Sequence, residues 1–312
     1  MSEDLIVIGG SFAGLNAALY LGRAGRKVLV VDAAQPRNRY AKHSHGLFGF
    51  DGQSPSDMLE LARTQTLSYP TVGLINTTAT GIECGSEGFS VSTGDGDSFI
   101  GRRVLLAIGV IDTLPDIEGI RERWGNTVLH CPYCHGYEFM GQRIGVIAHS
   151  PMAVHQALLL ADWGAVTLLT NGMLELDSEQ QARLAARQVH VEASPVKRLQ
   201  GQGLHGQGQT LDSVVLEDGR QLALDVMYIA TRVSFGSDWV EPLGCVIDQG
   251  PLGPIIRTDD KQLTSVAGLY AAGDCARQPH NATFACAEGV TAAMAIHASL
   301  IEEDIQRDLL NH

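Results

Sequence analysis

Asp4 to Asp32 reads DLIVIGGSFAGLNAALYLGRAGRKVLVVD, and this stretch decides the fold. Residues 4–8 are a short, mostly apolar run, the signature of a strand covered on both faces of a parallel sheet. Glycines follow at once, so the chain turns there. Ala13 to Ala24 then carries small and apolar residues at helical spacing, Gly25 ends the helix, and Lys27 to Val31 is a second buried strand closing on Asp32. This is one βαβ unit. The stretch from Leu5 to Leu21 is apolar enough to be mistaken for a membrane span, but Gly9, Gly10, Ser11 and Gly14 break it early.

The turn itself, Gly9-Gly10-Ser11-Phe12-Ala13-Gly14, is a G-x-S-x-x-G version of the dinucleotide fingerprint. Gly9 makes the tight turn, Ser11 stands at the middle glycine, and Gly14 lets helix and strand approach. The helix N-terminus, reached through Phe12 and Ala13, receives a pyrophosphate. Asp32 lies about 20 residues on, where a carboxylate accepts from a ribose hydroxyl. The competing reading is an ordinary glycine turn that packs helix on strand.

The pattern returns later in the chain as Arg143 to Ala148, a helical Met152 to Trp163, and Ala165 to Thr170. Two such units imply an internal duplication of architecture. Phe89 to Thr93 and Ser98 to Ile108 alternate around a Gly/Asp turn as a meander. Residues 189–230 repeat that plan around Asp218-Gly219. Gly268 to Ala272 is a further apolar strand, and a small-residue helix starts near Ala282. The segment Gln200 to Gln209 reads as an exposed loop.

The 312 residues allow two domains, each with its own core. With 35 acidic against 22 basic residues the net charge is -13, which offers no basic field for phosphate backbones or anionic lipid. Nucleic acid and membranes are therefore not expected as partners. Six cysteines are too sparse for a disulfide scaffold. The acidic start, Met1-Ser2-Glu3-Asp4, lacks the positive region of a signal peptide, so a cytoplasmic location is expected.

One cysteine pair stands apart: His130-Cys131-Pro132-Tyr133-Cys134-His135. Cysteines at i and i+3, with Pro as the first helical residue, can close a disulfide, and helix N-terminal N–H groups stabilise a thiolate. CxxCH also matches c-type haem attachment, which normally needs export. Zinc would want a second spaced pair, which Cys84, Cys245, Cys275 and Cys286 do not supply, so no metal is expected. A buried pair without chemistry is the remaining alternative, and the other four cysteines read as packing residues.

Gly273-Asp274, following the strand Gly268 to Ala272, completes a set of motifs whose order resembles the two-domain flavin-dependent pyridine nucleotide-disulfide oxidoreductases. Nearly the whole chain looks like a low-molecular-weight thioredoxin reductase. The segment Cys131 to Gly136 also resembles the dithiol oxidases of that superfamily. The resemblance implies an α/β fold with two Rossmann-like, three-layer domains. An FAD domain built from 1–114 and 244–312 would hold an inserted nucleotide-binding-like domain, 115–243, bearing the cysteine pair. It implies FAD as cofactor, with Asp274 on the ribityl chain, and Arg37, Asn38, His45, Ala107, Gly109, Gly273, Asn281 and Ala282 against the flavin. By the same resemblance Cys134 faces the flavin and Cys131 exchanges with substrate. His135 stands where the family carries its acid/base Asp, and Glu138 would orient it; an imidazole can move the same proton. Implied partners are a thioredoxin-like protein or a small dithiol or disulfide, an unidentified electron donor, and a second copy of the chain.

The second unit departs from that pattern. Its turn reads Ala148-His149-Ser150-Pro151-Met152-Ala153, with no glycine, and Pro151 removes an N–H donor. Thr170 to Glu175 offers no Arg or Lys for a 2′-phosphate. NADPH in the usual pose is not expected, the alternatives being an NADPH-dependent thioredoxin reductase with a variant nucleotide site and an oxygen-dependent oxidase of a small dithiol. A flavin sensor or carrier without turnover is the alternative from another class.

Overall fold

The computed structural model describes residues 2–85, 88–204 and 208–311. Strand β1 (Glu3–Ile8), helix α1 (Phe12–Arg23) and strand β2 (Val28–Asp32) form the expected first unit, with β1 and β2 parallel and Leu5 opposite Val28. Helix α2 (Pro55–Leu67) leads to β3 (Val72–Asn76), which extends the parallel sheet beyond β2. Strands β4 (Ala79–Gly85), β5 (Gly88–Thr93) and β6 (Ser98–Leu106) are an antiparallel meander. The apolar second half of β6 returns to lie parallel against β1, pairing Val104 with Ile6.

Strand β7 (Ile111–Thr113) leads out of this sheet. Next come β8 (Val128–Leu129), the single-turn helix α3 (Pro132–His135), β9 (Arg143–Ile147), α4 (Ala153–Leu160), β10 (Ala165–Leu169), α5 (Ser178–Ala186) and β11 (His190–Glu192). Strand β12 (Val196–Gln200), the small pair β13 (Gly203–Leu204) and β14 (Gly208–Gln209), then β15 (Ser213–Leu216) and β16 (Gln221–Ala223) follow. Strand β17 (Val226–Ile229) completes a second parallel sheet ordered β11-β10-β9-β17-β8. β12, β15 and β16 make its antiparallel meander. Each parallel sheet thus carries one meander, which is the duplication the sequence implied. Strand β18 (Arg232–Ser234) then pairs antiparallel with β7, so the outgoing and returning chains lie side by side.

The chain re-enters the first sheet through the hairpin β19 (Ile247–Gln249) and β20 (Pro254–Ile256), then β21 (Leu269–Ala271), parallel to β6. The last helix, α6 (Ala282–Leu310), is the one helix among the described residues long and apolar enough to cross a membrane. Its inner face is Ala285, Gly289, Ala292, Ala293, Ile296 and Leu300, packed with Ala17, Leu21 and Val30 of the first sheet's core. Gly289 permits this contact, because a Cβ there would sit 2.2 Å from the Ala13 carbonyl oxygen. A second core on the other face of the sheet centres on Ile6, Val31, Leu106 and Phe235, and two more clothe the second sheet.

Two expectations change. The segment Gln200 to Gln209 is not simply a loop, since Gly203 pairs with Gln209 and Leu204 with Gly208; residues 205–207 lie outside the described residues. Cys245 and Cys275 are buried and Cys286 half-buried, but Cys84 is exposed on β4.

Candidate active site

The first sheet ends in a cavity of about 1230 Å³, above the roughly 300 to 1,000 Å³ of ordinary small-molecule sites. Gly9, Ser11, Phe12, Ala13 and Asp32 line one part of it, and Cys134 and His135 another. Gly9 has φ +107°, and a Cβ there would lie 2.2 Å from the Ala107 carbonyl oxygen. Gly14 faces the strand instead: its Cβ would meet the Gly9 carbonyl oxygen at 1.9 Å. Its part is the close approach of α1 to β1, as the fingerprint requires. Gly10 was missed in the sequence. Its N–H donates to Asp32 Oδ1 at 3.1 Å, and a Cβ would lie 2.7 Å from that carboxylate.

Arg63 of α2 donates from Nη2 to Asp32 Oδ2 at 2.7 Å, so this carboxylate has a cationic neighbour. Local sequence gave no sign of this, because the two are 31 residues apart. Arg63 also lines the cavity, and its Nε is buried without a partner.

Arg37, Asn38, His45, Ala107, Gly109, Gly273, Asp274, Asn281 and Ala282 all line the same cavity. Gly273 has φ +82°, in the region that favours glycine, and its N–H donates to Glu288 Oε2 at 2.8 Å. Asn281 caps α6 by accepting the Thr283 N–H at 2.7 Å. Arg37 donates from Nη1 to Asp274 Oδ2 at 3.2 Å and to His280 Nδ1 at 2.6 Å. Its other edge holds Asp112 of β7. Burial works against the Arg37 charge, yet hydrogen bonds to Asp112 and the two carboxylate fields outweigh it and raise its pKa. Burial likewise opposes the Asp112 charge, and the Arg37 contact overrides it, drawing the carboxyl down to about 2.

The second sheet delivers the cysteines. β8 ends at Leu129, and Cys131 becomes the N-cap of α3 with Pro132 as first helical residue. The Cys131 and Cys134 sulfurs are bonded to each other, with the Cα atoms 5.3 Å apart, and Cys131 Sγ accepts the Cys134 N–H at 3.1 Å. Cys134 lines the cavity; Cys131 does not. Tyr133 packs edge-on against Trp163, at 6.0 Å between centroids. His135 is half-buried: burial pulls its pKa down, the Glu138 charge pulls it up, His45 pulls it down, and the net is a depression. Glu138 does not orient His135 directly. Its Oε1 lies 3.3 Å from His45 Nε2, because the 3-10 turn Tyr137–Phe139 aims it at the loop across the cavity. Among the described residues no group of three His, Cys, Asp or Glu side chains could hold a metal ion.

The turn of the second βαβ unit is built differently from the first. Ser150 is buried and donates from Oγ to the carbonyl oxygen of Ala230, just after β17, at 3.0 Å. His149 Nε2 is buried without a partner. Residues 148–153 do not line the cavity.

Two sheets with parallel cores, a dinucleotide-sized cavity and a disulfide whose Cys134 lines it have the form of a nucleotide-dependent redox protein. Residues 3–289 match the pyridine nucleotide-disulphide oxidoreductase family, and the chain belongs to that family. It is 30% identical to the thioredoxin reductase tcpT of Claviceps purpurea, over 96% of this chain and 95% of that protein. Among solved structures, an oxidoreductase of Agrobacterium tumefaciens is 44% identical with a TM-score of 0.90, covering 96% of this chain and 99% of that one. HlmI is 37% identical with a TM-score of 0.92, covering 99% of this chain and 96% of that one. The chain is therefore an oxidoreductase of the thioredoxin reductase-like group, whose members are FAD flavoproteins. The cavity suits FAD: glycine stands where any Cβ would collide at 9 and 10, and Arg63 Nε is a buried polar atom awaiting an acceptor.

Proposed function

We propose that the chain is an FAD-dependent thiol-disulfide oxidoreductase with Cys131 and Cys134 as its redox pair, and that it does not take electrons from NADPH in the usual pose. The observation that carries this reading is the shared cavity wall: Cys134 and His135 line the space that the fingerprint turn and Asp274 also line. Bound FAD supplies the two-electron exchange with the dithiol. Gly9, Ser11, Phe12, Ala13 and Asp32 hold its nucleotide half, with Gly14 letting α1 approach β1, and Asp274, Asn281 and Ala282 hold its flavin half. Cys131 exchanges with the substrate sulfur and Cys134 faces the cofactor. His135, kept uncharged at neutral pH by burial, takes the proton from the attacking thiol.

The direction we favour is dithiol to disulfide, because it draws electrons from the substrate and needs no pyridine nucleotide. The glycine-free turn at Ser150 and Pro151, with the Ser150 hydroxyl engaged by Ala230, supports it. A small dithiol is the substrate class, with a thioredoxin-like protein as the second. We further read the chain as a cytoplasmic homodimer with the domains 1–114 plus 244–312 and 115–243, the paired strands β7 and β18 being the crossover between them. Anaerobic titration of the purified protein with dithiothreitol, NADPH and a reduced ferredoxin, followed at the flavin band, tests the reading. Stoichiometric bleaching by dithiothreitol that is lost in Cys131→Ser is expected; bleaching by NADPH alone would reverse the choice of donor.

A further inference from the structure

Each thiol of a dithiol must lose its proton before its sulfur can form a bond, and His135 holds one proton at a time. The loop from Ser44 to Gln53 brings a second imidazole to the same cavity wall. Ser44 and Gln53 bridge antiparallel, the Gly52 N–H donates to the Ser44 carbonyl at 2.8 Å, and the Gly46 N–H donates to Asp51 Oδ1 at 2.9 Å. This compact turn sets His45 between two carboxylates. Nε2 lies 3.3 Å from Glu138 Oε1 and Nδ1 3.5 Å from Asp51 Oδ1. The ring meets His135 edge-on, with centroids 6.3 Å apart and planes at 86°. Exposure rises along the row: 23% for the His45 side chain, 36% for Glu138 and 71% for Asp51. The row therefore runs from the redox pair to solvent.

We propose that His45 is a proton-relay residue, taking through one water the proton that His135 removes from a thiol and releasing it to solvent over Glu138 and Asp51. This rests on the thiol-disulfide reading above. The first substrate thiol gives its proton to His135 while its sulfur bonds to Cys131; the Cys131–Cys134 bond breaks with its electron pair left on Cys134. The second thiol then loses its proton, and its sulfur displaces Cys131, closing the substrate disulfide. The substrate is oxidised and the enzyme disulfide reduced, with Cys131 and Cys134 left as thiolates; bound FAD would take their two electrons with one proton, and the other proton must reach solvent. His135 can take the second proton once it has passed on the first, and His45 is the imidazole placed to receive it. A centroid gap of 6.3 Å is spanned by a single water, which immobilises at small cost. The titratable groups facing the pair are Glu138 from the turn after α3, Asp51 from the loop of His45, and His130 from the segment before Cys131.

The test uses holoenzyme, dithiothreitol as reductant and anaerobic stopped-flow detection of the flavin band. His45→Gln should slow bleaching by about tenfold or more and change the pH profile, with added imidazole restoring part of the rate and FAD affinity unchanged. Asp51→Asn, at an exposed position, should slow the same phase by a smaller factor. His45→Gln should add little in a His135→Gln background, since both serve one path. An unchanged rate and pH profile in His45→Gln overturns the relay and leaves the thiol-disulfide reading intact. Loss of FAD affinity without imidazole rescue also overturns it, assigning His45 to cofactor support. Wild-type flavin that dithiothreitol does not bleach overturns both readings.

Discussion

Arg37 grips Asp112 with one edge of its guanidinium, Nε to Oδ2 at 2.7 Å and Nη2 to Oδ1 at 2.5 Å. The pair ties the segment after β2 to β7, the strand that leads to the second sheet, and Thr231 beside β18 donates to the same carboxylate at 2.5 Å. Side-chain exposures of 14% and 7% make it a buried pair, in which removing one partner strands the other.

The two single substitutions should therefore differ. Arg37→Met leaves the buried Asp112 carboxylate without its main cation, at a cost of about 3 to 5 kcal/mol. Asp112→Asn leaves Arg37 still bound to Asp274, so its cost is smaller. Denaturant midpoints of the two variants check the order; equal losses would show that Asp274 does not hold Arg37. A carboxylate with a depressed folded pKa stabilises above its unfolded pKa, about 3.9, and loses this as pH falls toward about 2. The difference between wild type and Asp112→Asn should thus be full above pH ~5 and shrink on acidification below pH ~4.

Asp32 accepts the Gly10 N–H and Arg63 together, at 3.1 and 2.7 Å. Asp32→Ala removes a charge-assisted acceptor worth about 1.5 to 3 kcal/mol, a loss of roughly tenfold to a hundredfold in FAD affinity. Fluorescence titration of apoprotein with FAD measures it. An unchanged dissociation constant would remove Asp32 from the nucleotide site.

The two cysteines should separate spectroscopically. Cys134 lines the cavity and Cys131 does not. Cys131→Ser frees a Cys134 thiolate beside oxidised flavin and should give a broad long-wavelength absorption band; Cys134→Ser should not. The opposite pattern would exchange their roles, and full turnover in both variants would make the pair structural.

The first βαβ unit was legible because its strands are continuous apolar runs and its glycines mark where backbone meets backbone. α2 and α5 gave no comparable signal. α2 buries only Pro55, Met58, Leu59 and Thr66, and α5 only Leu184, so neither carries a wide apolar stripe. The cavity's polar wiring was also hidden. Arg37 and Asp112 are 75 residues apart, Arg37 and Asp274 237 apart, and the folded topology alone brings them together. Cys131 and Cys134 were readable because their chemistry depends on a spacing of three residues.

The last prediction concerns the electron donor and starts from Ser150. Its hydroxyl is committed to the Ala230 carbonyl at 3.0 Å, so the turn that would face a pyrophosphate is drawn toward β17. Pro151 supplies no N–H, and the strand β10 is followed by Thr170-Asn171-Gly172-Met173, without a cation for a 2′-phosphate. Charge-assisted hydrogen bonds lost in this way are worth several kcal/mol together, and each 1.4 kcal/mol is tenfold. NADPH should therefore bind at millimolar concentration or weaker and bleach the flavin slowly or not at all. Stopped-flow mixing of oxidised holoenzyme with NADPH measures this directly. Saturable bleaching at micromolar NADPH would mean that the Ser150 hydroxyl leaves Ala230 to admit a nucleotide. Ser150→Gly, which releases that bond and reopens the turn, should raise any residual NADPH rate while leaving dithiothreitol bleaching through Cys131 and Cys134 unchanged.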